Sequence, residues 1–406
     1  MRHHPLAAYP AAWTICPMRF LLAFAQGGVL SPLLPLLRET FHVSHGELGL
    51  LISMFGLSRV VMDGIAAYLL SHRSLYSLLL QGIMLTAVGS LACALAPSFY
   101  WLVAARVLIG LGISITTLAG LTVIIEATPL TAQGRVNNLL EFSAIAGSAM
   151  SPTLSGLIAS LIHWRMSFGL AVVFVAGALA WVVFTRQALE EETRTFTQKQ
   201  KSDATRVSPH MQGTEGLPGR LRQTPALLIA YLAAFVLSFT WSAFLSTALP
   251  LFGGEVVGIP TSTLGMVFTA GLLVDMVLLL PVGWLSDRLD YRVVLTPAML
   301  LMAATLAWFP QAQSLGALLL VSIFIHTSFA AWGMPSAALA QFARGGHLRQ
   351  TMGIYRFLVD GAVVIAPWLI GILIGRYGYA LPSWLTAAGV ALTAILVAKG
   401  LRPARG

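Results

Sequence analysis

The stretch TLGMVFTAGLLVDMVLLLPVGWLSDRLDYR, from Thr263 to Arg292, carries one acid in the middle of an apolar run and ends in a polar turn. It answers ELGLLISMFGLSRVVMDGIAAYLLSHRSLY, from Glu47 to Tyr76, at an offset of 216 residues: Leu48-Gly49, Arg59 and Ser71-His72 correspond to Leu264-Gly265, Asp275 and Asp287-Arg288. A second echo links Pro152 and Gly156 to Pro367 and Gly371 at an offset of 215. Two echoes at spacings one residue apart mark a tandem duplication of a membrane unit.

Of the 406 residues 57% are hydrophobic and 10% charged, whereas soluble domains carry about 25% charged residues. Such a chain needs lipid as its solvent. A helix crosses the hydrocarbon core with about 20 apolar residues, and twelve runs of that kind follow one another. Helices 1 to 6 are expected at Trp13 to Leu37, Gly46 to Leu70, Leu75 to Ala96, Phe99 to Ile125, Val136 to Ser160 and Trp164 to Thr185. Helices 7 to 12 are expected at Pro225 to Pro250, Thr261 to Leu285, Val293 to Pro310, Leu315 to Phe342, Thr351 to Ile374 and Pro382 to Ala398. The expected fold is an all-α membrane protein of two pseudo-symmetric six-helix bundles, 1–186 and 225–406. The segment between them, 187–224, holds Glu190-Glu191-Glu192 and no apolar period, and reads as a cytoplasmic linker.

With the N-terminus in the cytoplasm, Arg2, Arg73, Arg135, Arg288, Arg292, Arg344, Arg349, Lys399, Arg402, Arg405 and the linker bases fall inside, while Arg38, Arg165 and Arg376 fall outside. Basic loops concentrate on the cytoplasmic side, so both termini are placed there. The net charge of +9 then reflects topology, and no nucleic-acid partner is needed to explain it. No small-residue cleavage site follows the first apolar run, so that helix is expected to be retained. Cys16 and Cys93 have no metal or redox spacing.

Four motifs resemble those of the major facilitator superfamily, and the resemblance covers the whole chain. The turn after helix 8, Gly283-Trp284-Leu285-Ser286-Asp287-Arg288 with Arg292 following, resembles that family's Gly-x-Leu-x-Asp-Arg signature. Its carboxylate can accept hydrogen bonds from a neighbouring helix N-terminus while the Arg side chains pair across the face, so the resemblance implies a cytoplasmic gate, with Glu141 of helix 5 as a partner. The other reading is a basic loop that only sets topology. The equivalent turn after helix 2 loses the Gly and the Asp. On helix 4, Arg106 with Gly110 and Gly112 resembles the Arg-x-x-x-Gly-x-Gly element, in which a buried Arg influences proton coupling. On helix 5, Gly147, Ser151, Pro152, Ser155 and Gly156 resemble the antiporter motif Gly-x-x-x-Gly-Pro-x-x-Gly-Gly, with Ser at two Gly positions. Small residues let helices approach closely, and the resemblance implies a dry seam against helix 8. Trp164-Arg165 at the start of helix 6 also fits.

Arg59 with Asp63 and Arg356 with Asp360 are each spaced i, i+4, so each can pair on its own helix. A charge at mid-membrane costs roughly 2.5–3.5 kcal/mol on insertion scales, and pairing lowers that cost. In the resembled fold helices 2 and 11 face one another, so the two pairs can meet and re-pair. One of Asp63, Asp275 and Asp360 is expected to be the protonatable coupling residue, with a static ion pair as the other reading of each. Gln26, Tyr231, Trp241, His326 and Trp332 are candidates to line a substrate cavity, with packing as the alternative. His42 and His45 lack further ligands for a metal.

The function expected is secondary active transport of a small organic molecule by alternating access, with protons as coupling ion and export by antiport as the leading direction. The alternative is a proton-coupled uptake symporter or facilitator for an anionic or polar metabolite, favoured by Arg59, Arg106 and Arg356. A membrane enzyme or non-transporting sensor is the third class, and no hydrolase, metalloprotease or phosphate-loop motif supports it. No cofactor or metal is expected. The chain is read as a monomer in a bacterial inner membrane.

Overall fold

The computed structural model describes residues 10–128, 130–190, 225–342 and 348–401. Among these residues, twelve helices are long and apolar enough to cross a membrane. They are α1 (Ala11–Phe41), α2 (His45–Ile65), α3 (Leu75–Ala94), α4 (Phe99–Ile125), α5 (Asn138–Leu161), α6 (Trp164–Phe184), α7 (Pro225–Glu255), α8 (Thr261–Leu285), α9 (Tyr291–Gln311), α10 (Leu315–Ala340), α11 (Gln350–Tyr377) and α12 (Ala380–Gly400). They match the twelve expected runs one for one. Residues 191–224, most of the expected linker, lie outside the described residues, as do Arg2, Arg402 and Arg405 and the side chains of Arg135, Arg344 and Arg349.

Local chemistry starts these helices where the sequence changes from polar to apolar. Ser44 and Glu47 form a reciprocal capping box before α2, in which the Ser44 hydroxyl accepts from the Glu47 amide at 3.2 Å and Glu47 Oε2 accepts from the Ser44 amide at 2.8 Å. Ser74, Ser98 and Ser314 cap α3, α4 and α10 in the simpler one-sided way.

Two buried cores divide the molecule. One is built by α1 to α6 with Leu251 of α7 reaching in, and the other by α7 to α12. The first helix of each half is broken at a corresponding place. α1 is π-helical over Phe24–Gly28, and α7 over Trp241–Ala248. Wide turns leave backbone carbonyls exposed, and in lipid each needs a donor. Hydroxyls supply some of them, and within α7 itself Thr247 donates to the Ser242 carbonyl at 3.0 Å. In the first half α5 donates to α1, through Ser151 to the Phe24 carbonyl at 2.8 Å and Ser155 to the Val29 carbonyl at 2.7 Å. In the second half the direction reverses: α7 donates to α11, through Ser238 to the Val359 carbonyl at 2.7 Å and Ser242 to the Val363 carbonyl at 3.4 Å.

The halves meet along α2 with α11 and along α5 with α8, and the residues of the duplication make both contacts. Gly49 lies against the Pro367 carbonyl and Gly371 against the His45 carbonyl; at the other seam Gly265 lies against the Pro152 carbonyl and Gly156 against the Thr261 carbonyl. A β-carbon at any of these four would overlap backbone. The contact loosens along α2. Gly56 meets the Val363 side chain, and a β-carbon at Gly64 would stand in open space. The bundles are thus closed at the end that carries Glu255 and diverge toward the end that carries Asp290.

The seam expected between helices 5 and 8 is narrower than the motif suggested. Of the five motif residues, Gly156 and the Pro152 carbonyl touch α8, joined there by Thr153, whose hydroxyl donates to Thr269 at 2.7 Å. Gly147 packs on the Phe20 carbonyl of α1, and Ser151 and Ser155 also face α1. Three small residues serve α1 because its broken stretch needs both close approach and donors.

Candidate functional site

Four charges cross the α2–α11 contact at mid-height. Arg356 bonds Asp63 through Nη2 at 2.9 Å and Nε at 3.0 Å, and reaches its own-helix partner Asp360 at 3.2 Å. Arg59 Nη2 stands 3.6 Å from Asp360 Oδ1. The own-helix pairing expected for Arg59 with Asp63 is therefore replaced by a crossed pair, while the one expected for Arg356 with Asp360 forms. The Ser114 hydroxyl of α4 donates a short hydrogen bond to the other oxygen of Asp63. Crossing is favoured because each carboxylate then contacts an Arg from the opposite bundle, which shares the desolvation cost over both helices.

Arg19 of α1 belongs to the same region. Its Nη1 donates to the Thr117 hydroxyl at 2.9 Å, and it lies within electrostatic reach of Glu141, Arg59 and Arg356. Glu141 thus has Arg19 as a charged neighbour. The Asp287 side chain, its expected partner, lies outside the described residues. Arg106 is 2% exposed, donates to the Gln26 carbonyl at 3.2 Å and stands 4.5 Å over the Phe55 ring, while its Nε is buried without a partner. It braces the broken part of α1, where Gln26 contributes its backbone oxygen. Gly112 lets α4 press against the Gly82 backbone of α3.

In the second bundle α7, α8 and α10 converge on a second cluster. His326 Nδ1 lies 2.8 Å from the Ser322 carbonyl. A carbonyl only accepts, so this nitrogen carries a hydrogen and Nε2 is left facing Asp275 Oδ2 at 4.0 Å. Asp275 Oδ1 is buried with no partner. Trp241 covers the His326 ring edge-on at 5.9 Å and packs with Phe329 at 5.1 Å and Trp332 at 6.4 Å. Of the expected cavity residues, Trp241, His326 and Trp332 come together here. Tyr231 does not: it is 6% exposed and its hydroxyl donates to the Thr351 carbonyl at 3.2 Å, tying α7 to α11.

At the Asp290 face the expected gate residues Gly283, Arg288 and Arg292 are described, while the Asp287 side chain is not among the described residues. Arg292 bonds Asp290 through Nε at 2.9 Å and Nη2 at 2.5 Å, and Asp290 Oδ1 accepts from the Arg292 amide at 3.0 Å, capping α9. The carboxylate that Arg292 engages is thus two residues away and on its own side. These bonds hold the Asp290 carboxyl below the usual carboxylate range. Arg288 stands 4.1 Å over the Trp284 ring, and the space beside Gly283 that a β-carbon would fill is open.

The opposite face carries a cluster that sequence reasoning missed. Glu255, at the end of α7, bonds Arg38 Nη1 at 2.9 Å, His45 Nε2 at 2.8 Å and the Tyr379 hydroxyl at 2.7 Å. Its one signal in the sequence was an acid ending an apolar span. Arg19 had a comparable signal, a lone charge inside helix 1.

Two bundles with broken first helices and charges paired between them define a polytopic membrane carrier. The sequence model of the Major Facilitator Superfamily matches residues 16–274 and 230–405, and the chain belongs to that superfamily. It is similar to an uncharacterized MFS-type transporter, YwfA, of Bacillus subtilis (24% identity, 92% of this chain and 88% of the relative). From the same organism, a hexuronate transporter is 22% identical over 95% of this chain and 93% of its own length, and multidrug resistance protein 2 is 22% identical over 92% of both. The inward-open structure of the xylose transporter XylE from E. coli shares the fold, with a TM-score of 0.77 and 14% identity over 98% of each chain. The protein is thus a multi-pass membrane transporter and not an enzyme.

Proposed function

We propose that this transporter exports a small organic molecule in exchange for protons, with Asp275 and His326 as the proton-carrying pair. One observation carries the reading: a buried carboxylate with an unpartnered oxygen faces an imidazole nitrogen whose hydrogen is committed to the far side. An ionised Asp275 facing a neutral Nε2 lone pair is repelled. A single proton on either member turns repulsion into a hydrogen bond or an ion pair, so the pair titrates as a unit. Trp241 and Trp332 beside it, backed by the buried Phe329, offer aromatic surface to a substrate. The Arg59, Asp63, Arg356 and Asp360 network joins the bundles and exchanges partners as they rock. The helix 5 motif and the similarity to a protein named for multidrug resistance support export.

We read the Asp290 face as cytoplasmic, in a bacterial inner membrane, a reading supported by the basic residues of the sequence on that side, with bundles at 1–186 and 225–406 around a 187–224 linker, acting as a monomer. Arg19, with Arg59 and Arg356 in electrostatic reach, favours a second reading, proton-coupled uptake of an organic anion, in line with the similarity to a hexuronate transporter.

The test is substrate-evoked proton movement in inverted vesicles, read with a trapped pH dye across a compound panel. Antiport predicts that a compound discharges the imposed gradient with the wild-type protein and fails to do so with Asp275→Asn. Accumulation of labelled organic anions in intact cells, with no discharge by any compound, would favour uptake. Unchanged pH dependence in Asp275→Asn removes that residue from the mechanism.

A further inference from the structure

We propose that Glu255 is a second proton-binding site, separate from the Asp275–His326 pair, whose protonation unlatches the closed face of the transporter. One carboxylate there holds three other elements. Arg38 comes from the end of α1 and His45 from the start of α2, both in the first half; Tyr379 precedes α12 in the second half. With Glu255 itself on α7, the cluster bridges the bundles directly above the glycine contacts, and His45 serves both, since its carbonyl receives Gly371 while its ring meets Glu255.

The chemistry of the cluster ties its hold to the charge on Glu255. Arg38 and His45 are the charged or chargeable neighbours of Glu255 in the first half, and Tyr379 is the titratable neighbour in the second. Glu47, the next carboxylate on α2, is turned away to its own cap and to the Tyr100 hydroxyl at 3.1 Å. Burial and the Glu255 charge raise the Tyr379 hydroxyl above the ordinary phenol range, so it stays protonated and can only donate to this carboxylate. All three partners therefore present hydrogens to Glu255, and charge-assisted bonds to an ionised carboxylate are the strong kind. A proton on Glu255 removes the ion pair with Arg38 and the charge assistance of the bonds from His45 and Tyr379 at once. The glycine contacts beneath carry no charge and do not change with pH, so a pH response of this face belongs to the cluster.

The consequence is an equilibrium between closed and open states that shifts toward opening of this face as the solution bathing it is acidified. It holds whichever way the substrate moves and whichever residue couples transport, so it stands or falls apart from the export reading. The test uses the full-length protein in lipid nanodiscs with spin labels at Thr40→Cys and Gln313→Cys, exposed positions of the two halves at this face, in a background with Cys16 and Cys93 replaced. Pulsed dipolar spectroscopy should show longer separations on acidification of the unsubstituted latch. Glu255→Gln should show the long separations at every pH, with the pH response gone. Arg38→Gln, which keeps the carboxylate, should retain a pH response from a population already shifted toward opening. A pH-independent distance in the unsubstituted latch, or an undiminished pH response in Glu255→Gln, overturns the proposal. Should Glu255→Gln fail to fold, an Arg38→Gln protein indistinguishable from the parent in both distance and pH response overturns it equally.

Discussion

Gly49 of α2 and the carbonyl of Pro367 on α11 touch with no room for a β-carbon between them, and Gly265 of α8 repeats the contact against the carbonyl of Pro152 on α5. In this structure both contacts lie within the closed Glu255 face. Gly49→Val, and Gly265→Val at the sister seam, should therefore penalise one state and spare the other. Overpacking costs about 1–3 kcal/mol, equivalent to about a 5- to 150-fold shift in the state ratio. Dipolar distances across that face should lengthen and transport should fall, while expression and elution as a folded particle are kept. A distance distribution identical to wild type would sink the idea that these glycines set closure.

The crossed network predicts that Arg356→Gln harms the protein more than the double variant Asp63→Asn/Arg356→Gln. The single change leaves the Asp63 and Asp360 carboxylates near one another without their shared cation. Coupling between contacting charges runs to about 0.5–3 kcal/mol, and the partial exposure of Arg356 places this pair in the lower part of that range. Thermal unfolding of the purified protein provides the cycle, and additive effects would argue against crossing.

Ser151→Ala and Ser155→Ala each remove a donor to the broken stretch of α1. The loss expected is about 0.5–1.5 kcal/mol apiece, read as a lowered unfolding temperature. Ser148→Ala, on the same helix, is the comparison, and an equal loss there would show that the hydroxyl bonds are not the cause.

Asp290 gives a pH dependence whose sign is fixed. Its folded-state pKa is depressed below the ordinary 3.8, so its contribution is fully present above the unfolded value and is lost as pH falls through the folded one. Acid should therefore loosen the α9 cap from about pH 4 downward. Asp290→Asn keeps a capping oxygen but no charge. Its stability at pH 7 should be slightly lower than wild type, with the difference closing at low pH. A gap that persists in acid would assign the effect to something other than this carboxylate.

How much of this was legible in the sequence follows from what each feature depends on. The twelve spans were readable because length and apolarity alone decide whether a helix can cross lipid. The inter-bundle contacts were half readable: the offsets of 216 and 215 picked out Gly49, Gly265, Gly156 and Gly371 without saying what they touch. Arg59 and Asp63 invited an own-helix pair because i, i+4 spacing is local, and the partners that won, Asp360 and Arg356, lie far along the chain in the other half. The π-helical stretches at Phe24–Gly28 and Trp241–Ala248 had no sequence sign beyond nearby glycine and proline, since such turns are set by neighbours. The Glu255 cluster stayed hidden for a similar reason, its four members coming from four separate helix ends.

The reversed direction of the serine bonds shows what duplication preserves and what it lets drift. A backbone-to-backbone contact is inherited position by position, because any side chain at that spot abolishes it, so the glycines recur in register. A hydroxyl bond across a seam has two possible owners, and the donor can migrate from one helix to its neighbour without the seam noticing. In this chain it has done so: α5 holds the donors in one half and α7 in the other. Symmetry of form has outlived symmetry of residues, and the two halves have been free to specialise wherever only a hydrogen atom had to be shared.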